Sequence, residues 1–184
     1  MKKSFKLFIA LLLLVTVSFG QDLPVDQNTG KITYIEVVDA AGLSAKDMYA
    51  VAKKWGNDKK FTVKEDKEAE TIIIYNGSTP VEYPNVSGNN NDKGKVTFTC
   101  SIFLKDGKFR FIFTDLFHIA EGKVVGSDGG KLENISPDCG KLKMSAKGWV
   151  TIKGRADFGL KALVADLKRV MKEAQNDPAK KSDW

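Results

Sequence analysis

The feature that most constrains the fold of this 184-residue chain is a strict alternation of apolar and polar residues around one short turn. Asp106-Gly107 separates the two alternating runs, and this pair favours the type I′ turn of a β-hairpin. A period of two puts neighbouring side chains on opposite sheet faces, so one face of the hairpin is predicted to be buried and the other to contact solvent. We assign to the buried face Val96, Phe98, Cys100, Ile102, Leu104, Phe109, Phe111, Phe113 and Phe117.

Two helices are predicted, one before and one after this hairpin. The first follows an N-cap at Ser44, with Asp47 as its capping partner, and ends at Gly56. The second follows an N-cap at Asp157 and ends before Pro178. Each has one apolar stripe at helical spacing, formed by Met48, Val51, Ala52 and Trp55 in the first and by Leu160, Leu163, Val164, Leu167, Val170, Met171 and Ala174 in the second.

The remaining strands are short and rich in β-branched residues. A strand is predicted at 31–38, a second strand region at 61–65 and 70–76, and a further short strand at 149–152. The polar stretch 77–94 and the glycine-rich stretch 120–147 are predicted as long loops. Because each helix has one apolar stripe and the hairpin one apolar face, we expect an α+β fold of order β-α-β-β-β-β-α. Its twisted antiparallel sheet would have both helices packed on the same face, as a two-layer sandwich.

The first twenty residues are predicted to be a secretory signal peptide. Three lysines precede the apolar run 7–17, and Ser18 and Gly20 stand where cleavage requires small residues. The alternative is an uncleaved N-terminal anchor. With cleavage after Gly20, the chain is divided into an arm at 21–30, a single domain at 31–176 and a mobile tail at 177–184, with no membrane span after cleavage. The expected location is the periplasm or the cell exterior.

The charge of the chain argues against a nucleic-acid partner. The whole sequence has 29 basic and 23 acidic residues, for a net charge of +6. Removing residues 1–20, which hold three lysines and no acid, halves the excess to +3. Nucleic-acid binders usually concentrate their basic residues on one face, whereas these are scattered.

The inventory of reactive residues supplies no catalytic, cofactor or metal motif. One histidine cannot build a multi-histidine metal site, and two cysteines cannot build a four-cysteine zinc site. No motif places a nucleophile and an orienting group beside His118, so we interpret it as a histidine at the sheet rim. We therefore expect no enzyme activity, no cofactor and no metal.

Several stretches resemble one known family. They are Lys31–Val38, Leu43 to Trp55, Glu65 to Ile72 and, most specifically, Lys105 to Asp115 with its Asp-Gly-Lys-Phe-Arg-Phe sequence. Together they cover about residues 30 to 120 in the family's order and resemble a family of secreted bacterial domains of unknown function with a TATA-binding-protein-like (TBP-like) fold. The resemblance implies that fold and brings no activity or catalytic residue. The stretches 77–94 and 120–147 look longer than the family pattern requires.

The solvent face of the hairpin is the best candidate for a functional surface. Its mixture of β-branched, hydroxyl and apolar side chains suits a protein or peptide partner, or a second copy of the chain. Threonine is also common on wet strand faces that bind nothing. The candidate partner-binding residues are Thr97, Thr99, Ser101, Phe103, Arg110, Ile112 and Thr114.

The two cysteines leave two interpretations open. Export would bring Cys100 and Cys139 to an oxidising compartment, where they could form a disulfide. The alternative is two separate thiols, with one packed in the core as a small apolar side chain.

Three functions remain in competition. The first is an exported, non-enzymatic binding or structural module that uses the exposed sheet face. The second is a carrier of a small apolar or sugar ligand held between the sheet and the long loops, with Tyr83, Phe103 and Trp149 as its lining. The third is a hydrolase whose parts are too dispersed to recognise in the sequence.

Overall fold

The centre of this protein is an antiparallel sheet that carries two helices, as described by a computed structural model for residues 23–122 and 126–177. Its strands are β1 (Tyr34–Asp39), β2 (Thr62–Lys67), β3 (Ile72–Pro84), β4 (Asn91–Lys105), β5 (Lys108–Glu121) and β6 (Gly130–Lys131). The order across the sheet is β1-β5-β4-β3-β2, and β6 pairs with β5 at Phe117 and His118. The predicted signal peptide and all of the predicted tail except Asp177 lie outside the described residues.

The helices α1 (Ala45–Asp58) and α2 (Ala146–Gln175) cover one face of this sheet. α1 packs on β3 and β4, α2 packs on β3, and the two helices contact each other. Asp166 of α2 joins them, because its carboxylate accepts the indole N–H of Trp55 at 3.0 Å and pairs with Lys59 at 2.7 Å. The predicted α+β arrangement, with both helices on one face of an antiparallel sheet, is confirmed.

The first helix begins as predicted and ends two residues later. The Ser44 hydroxyl accepts the N–H of Asp47 at 3.1 Å, and the helix continues past Gly56 to Asp58. The Asp106 carboxylate of the β4–β5 turn also accepts the N–H of Ala45, at 2.7 Å. That turn has a positive φ at Gly107 and not at Asp106, so the predicted type I′ geometry, which needs both, is wrong.

This contact predicts that Asp106→Ala destabilises the protein by about 1 kcal/mol, because the first turn of α1 loses an acceptor for one of its free N–H groups. Asp106→Asn keeps an acceptor oxygen and should stay within about 0.5 kcal/mol of wild type. Urea unfolding of the three proteins measures both differences. Equal stability of the alanine variant and the wild type would contradict the role given to Asp106.

The second helix begins much earlier than predicted. Its N-cap is Ser145, whose hydroxyl accepts the N–H of Gly148 at 3.0 Å, so Asp157 is an interior residue and not a cap. The strand predicted at 149–152 is the start of this helix. Trp149 and Ile152 are buried there because they extend the apolar stripe of α2 by about three turns toward its N-terminus.

Two further expectations about the strands are wrong. The stretch 77–94 is largely the end of β3 and the start of β4, whose pairing continues from Ile72–Phe103 to Pro84–Asn91. The second wrong expectation is the unbroken alternation of faces along β5. The register of β5 with β4 shifts between Thr97 and Thr99, and Asp115 has a φ of +57°. This bulge adds one residue, so Leu116 and His118 become buried while Phe117 becomes exposed.

Candidate functional site

The surface of the sheet opposite the helices, here called the outward face, carries all seven of the candidate residues. They alternate with the buried residues of β4 and β5, and each is half-buried or exposed. The pairing of the two strands places Ser101 beside Ile112, and Phe103 beside Arg110. The structure therefore brings the predicted set together on one surface.

Neighbouring strands add apolar residues that sequence reasoning missed. Two adjacent rows cross the sheet near the β4–β5 turn, one formed by Val37, Arg110, Phe103 and Ile72 and the next by Ile35, Ile112, Ser101 and Ile74. Ile35 and Val37 are 55% and 59% exposed, unusually high for such side chains. In the sequence, Ile35 and Val37 alternate with Tyr34 and Glu36, which indicates that the two apolar side chains share one face of a strand. The strand order was needed to show that this strand lies beside β5.

One charged side chain lies within these apolar rows. The guanidinium of Arg110 is stacked over the ring of Phe103, with its central carbon 4.5 Å from the ring centroid. Among the described residues Arg110 forms no ion pair. The other end of the outward face is rich in hydroxyl groups, where the Thr33 and Thr114 oxygens are 3.3 Å apart and Thr97 donates to the carbonyl of Phe117.

A groove of about 550 Å³ lies between β1 and α2, at the edge of the sheet. It is here called the β1–α2 groove, and it is lined by Pro24, Val25, Asp26, Thr33, Tyr34, Ile35, Glu36, Phe111, Lys161, Val164, Ala165 and Lys168. Both of its lysines are paired, Lys161 with Asp157 at 2.8 Å and Lys168 with Glu36 at 2.6 Å. The middle of its helical wall, at Val164 and Ala165, is apolar.

The buried carboxylate of Asp157 ties α2 to β1 at one end of this groove. The hydroxyl of Tyr34 donates to Asp157 at 2.7 Å, and the pKa of Tyr34 is raised by burial and by that carboxylate. With its second oxygen held by Lys161, Asp157 has a partner for each carboxylate oxygen. This arrangement explains how an acidic residue can be 6% exposed in the interior of a helix.

His118 is fully buried, so its interpretation as a rim residue is wrong. The rings of Tyr83 and Trp149 meet its ring edge to face, with centroids 5.1 and 6.3 Å away. Its Nδ1 accepts the N–H of Gly129 at 3.0 Å, which leaves the proton on Nε2, and that atom has no hydrogen-bond partner. Burial lowers the pKa of His118 to about 4.

The residues proposed to line a ligand pocket do not lie together. Tyr83 and Trp149 pack against His118 beneath the sheet, while Phe103 is on the outward face. Both cysteines are free thiols: Cys100 is buried in β4, and Cys139 is half-buried in the segment before α2. The disulfide is therefore not formed in this structure, and burial raises the pKa of both thiols.

The described residues contain neither a candidate metal site nor a candidate membrane-spanning helix. In residues 23–122 and 126–177, no three His, Cys, Asp or Glu side chains cluster as they would to hold a metal ion. Neither helix in that part of the chain combines the length and the apolar character needed to cross a membrane.

Comparisons with known proteins agree with this fold. A crystal structure of a TBP-like protein from Parabacteroides distasonis is 20% identical, covers 83% of this chain and 97% of its own, and superposes with a TM-score of 0.57. A DUF4468 family protein from Bacteroides ovatus is 16% identical, covers 84% and 91% of the two chains, and gives a TM-score of 0.54. No curated protein matches the chain by sequence.

The sequence profile of one family matches residues 34–118, from the first residue of β1 to the buried histidine of β5. That family is described as a domain of unknown function (DUF4468) with a TBP-like fold. The matched segment contains the first helix and all of the hairpin except the last three residues of β5, and it includes most of the stretches that carried the resemblance in the sequence. Residues 34–118 therefore belong to the DUF4468 family, and the chain that contains them has its TBP-like fold.

Proposed function

We propose that this protein is an exported, non-enzymatic binding module whose outward face docks a partner protein. The observation that carries the proposal is the pair of apolar rows around Ile112, with Arg110 lying unpaired among them. Apolar patches with an arginine are typical of the centre of protein interfaces. Export rests on the predicted signal peptide, and the absence of enzyme activity rests on the absence of a recognisable catalytic motif.

The size and charge of the face favour one kind of partner. The outward face spans five strands about 4.8 Å apart. Along β5 it has four rows about 7 Å apart, at Lys108, Arg110, Ile112 and Thr114, which gives roughly 650 Å², close to the 800 Å² per partner of a standard interface. A partner that covers Arg110 must supply a carboxylate, because an unpaired buried charge is strongly unfavourable. We therefore propose a partner surface that presents one acidic side chain surrounded by apolar ones.

Substitutions on the outward face test this proposal. Ile112→Lys places a second charge in the apolar row, and Arg110→Glu reverses the charge that the partner is expected to meet. Each should weaken binding of the partner at least 30-fold, while Ala162→Lys on the exposed side of α2 should leave it unchanged. The measurement is affinity for proteins first recovered with the wild type from the native cell, with unfolding curves to check the fold.

Two results would contradict the proposal. One is a partner whose affinity is the same for Ile112→Lys, Arg110→Glu and wild type. The other is a dimer of this chain alone that Ile112→Lys dissociates, because the occupant of the face would then be a second copy.

One pocket favours a second candidate function, which is to carry a small polar ligand such as a sugar. It measures about 330 Å³, within the range of small-molecule sites, and lies between the far ends of β4 and β5 and the segment before α2. Tyr83, Asp92, Glu121, Leu142 and Lys143 are among the residues that line it. Native mass spectra would reveal a ligand as extra mass that leaves on denaturation, and its absence in protein from the native source would contradict this candidate.

A further inference from the structure

The outer edge of β1 has free backbone groups beside the β1–α2 groove. In the described residues β1 pairs only with β5, so the opposite edge of the strand has no strand partner from Tyr34 to Asp39. Such an edge presents unpaired N–H and C=O groups to whatever lies next to it.

The hydrogen bonds of residues on either side of β1 show which of its backbone groups point to the outer edge. The N–H of Thr33 and the C=O of Lys31 point to the outer edge, where they bond Pro24 and Asp26. The N–H of Ala40, in contrast, points toward the β4–β5 turn and bonds Gly107. Because successive residues of a strand alternate, the backbone groups of Ile35 and Val37 point outward and those of the even residues point to β5.

The same edge already accepts one extended segment. The arm before β1 turns back at residues 27–29, so that Val25 pairs antiparallel with Ile32 and the carbonyl of Pro24 accepts the N–H of Thr33 at 2.8 Å. This pairing stops at the start of β1, where the β1–α2 groove begins. The edge therefore has the geometry of a pairing strand, and its next free groups are those of Ile35 and Val37.

We infer that the β1–α2 groove binds an extended segment of a partner protein, which joins the sheet as an antiparallel strand on the outer edge of β1. Addition of a strand in a groove between a sheet edge and a helix is a recurring mode of peptide recognition. This site goes beyond the proposed function of the outward face, because it uses the strand edge and the wall of α2 and does not need Arg110.

The lining of the groove defines the side chains of that segment. Residues opposite Ile35 and Val37 would lie beside these exposed apolar side chains on the outward side. The residue between them would point into the groove, toward Phe111, Val164 and Ala165. Lys161 and Lys168 are both ion-paired, so neither lysine of the helical wall needs an acidic partner from the bound segment. Three consecutive uncharged, β-branched residues therefore fit the groove.

The test uses amide hydrogen exchange, measured by NMR on the purified protein. The probe is the peptide acetyl-Lys-Thr-Val-Ile-Val-Thr-Lys-amide, and the control peptide has proline in place of both valines and so lacks two N–H donors. In the free protein the amides of Ile35 and Val37 should exchange faster than those of Glu36 and Val38. The probe should slow exchange at Ile35 and Val37 at least tenfold in a saturable manner, and the proline peptide should have no effect.

A matched pair of variants tests the wall of the groove. Ala165 lines the groove and Ala162, three residues earlier, is exposed on the same helix without lining it. Ala165→Gln should weaken binding of the probe at least fivefold by filling the groove, whereas Ala162→Gln should leave it unchanged. Both substitutions suit a helix surface, so neither is expected to unfold the protein.

Four results would overturn the inference. Equal responses to the two peptides, or none to either, would show that the edge does not accept a strand. Equal effects of the two glutamine variants would place the probe elsewhere. If the amides of Ile35 and Val37 were already protected in the free protein, and more so at higher protein concentration, the occupant would be a second copy of the chain. If that protection did not depend on protein concentration, the chain would cover its own edge. Failure of the Arg110 test alone leaves each of these measurements unaffected.

Discussion

Lowering the pH from 7 to 4 is expected to destabilise this protein by about 3 kcal/mol through one side chain, His118. In the unfolded chain its pKa is the ordinary value of 6.5, whereas in the folded protein burial lowers the pKa to about 4. Between these values the unfolded state binds a proton that the folded state does not, so acid favours unfolding. The loss begins near pH 6.5 and is complete below pH 4, because each unit of pKa difference corresponds to about 1.4 kcal/mol.

The structure explains why the folded protein holds this proton so weakly. Tyr83 and Trp149 enclose the ring, Nδ1 is occupied by the N–H of Gly129, and only the charge of Asp128 opposes the effect of burial. The carboxylate of Asp166 contributes below this range, because Lys59 and Arg169 lower its pKa to about 2. Its contribution is therefore lost as the pH falls from its unfolded value of 3.8 toward 2.

Urea unfolding at a series of pH values, on wild type and His118→Asn, isolates the histidine. Asparagine keeps an acceptor for the Gly129 N–H and has no group that titrates in this range. The variant is expected to be less stable at pH 7 and to lose less than about 1 kcal/mol between pH 7 and 4. The same pH dependence in both proteins would contradict the buried, neutral histidine.

Gly56→Ala is expected to destabilise the protein by about 3 kcal/mol, although alanine is the better helix former. A Cβ on Gly56 would overlap the ring of Tyr75, which is fully buried under α1. The ring has little room to move, because its hydroxyl donates to the carbonyl of Ala52 at 3.1 Å in the preceding turn of the helix. Alanine at an unobstructed interior helix position would instead add up to about 1 kcal/mol.

A double-mutant cycle with Tyr75→Ala separates overpacking from any other effect of the substitution. Tyr75→Ala alone is expected to cost about 4 kcal/mol, by opening a cavity in the core. In that background the ring is gone, so Gly56→Ala should become neutral or stabilising, with a coupling of about 3 kcal/mol between the two sites. The measurement is urea unfolding of the four proteins. A Gly56→Ala effect that is unchanged in the Tyr75→Ala background would contradict the steric explanation.

The bulge in β5 is the local event that most changed the candidate sites. Strict alternation along β5 predicted Phe117 inside, but the left-handed φ of Asp115 adds one residue and exchanges the faces of all that follow. Asp115 can adopt this conformation more readily than most residues, and its carboxylate pairs with Lys31 at 2.6 Å. The periodicity of the sequence does not reveal a single inserted residue. The change of face after Asp115, and with it the burial of His118, could therefore not be predicted.

The error at Asp157 has a different cause. An acidic residue at the apparent start of an apolar stripe is typical of an N-cap, and only its partners show that it belongs inside the helix. Those partners are Lys161, one turn away, and Tyr34, 123 residues away in the chain. Local sequence patterns contain no information on a contact of that separation.

By itself the sequence determined the hairpin, the capped start of α1, the apolar stripes of both helices and hence an α+β sandwich with one free sheet face. These are consequences of local periodicity, since burial of one face needs nothing beyond the order of apolar and polar residues. The tertiary structure decided which elements are neighbours. It set the strand order that places Ile35 beside Ile112, the enclosure of His118, and the groove between β1 and α2. Each depends on groups far apart in the chain whose proximity is fixed only when the sheet and helices pack together.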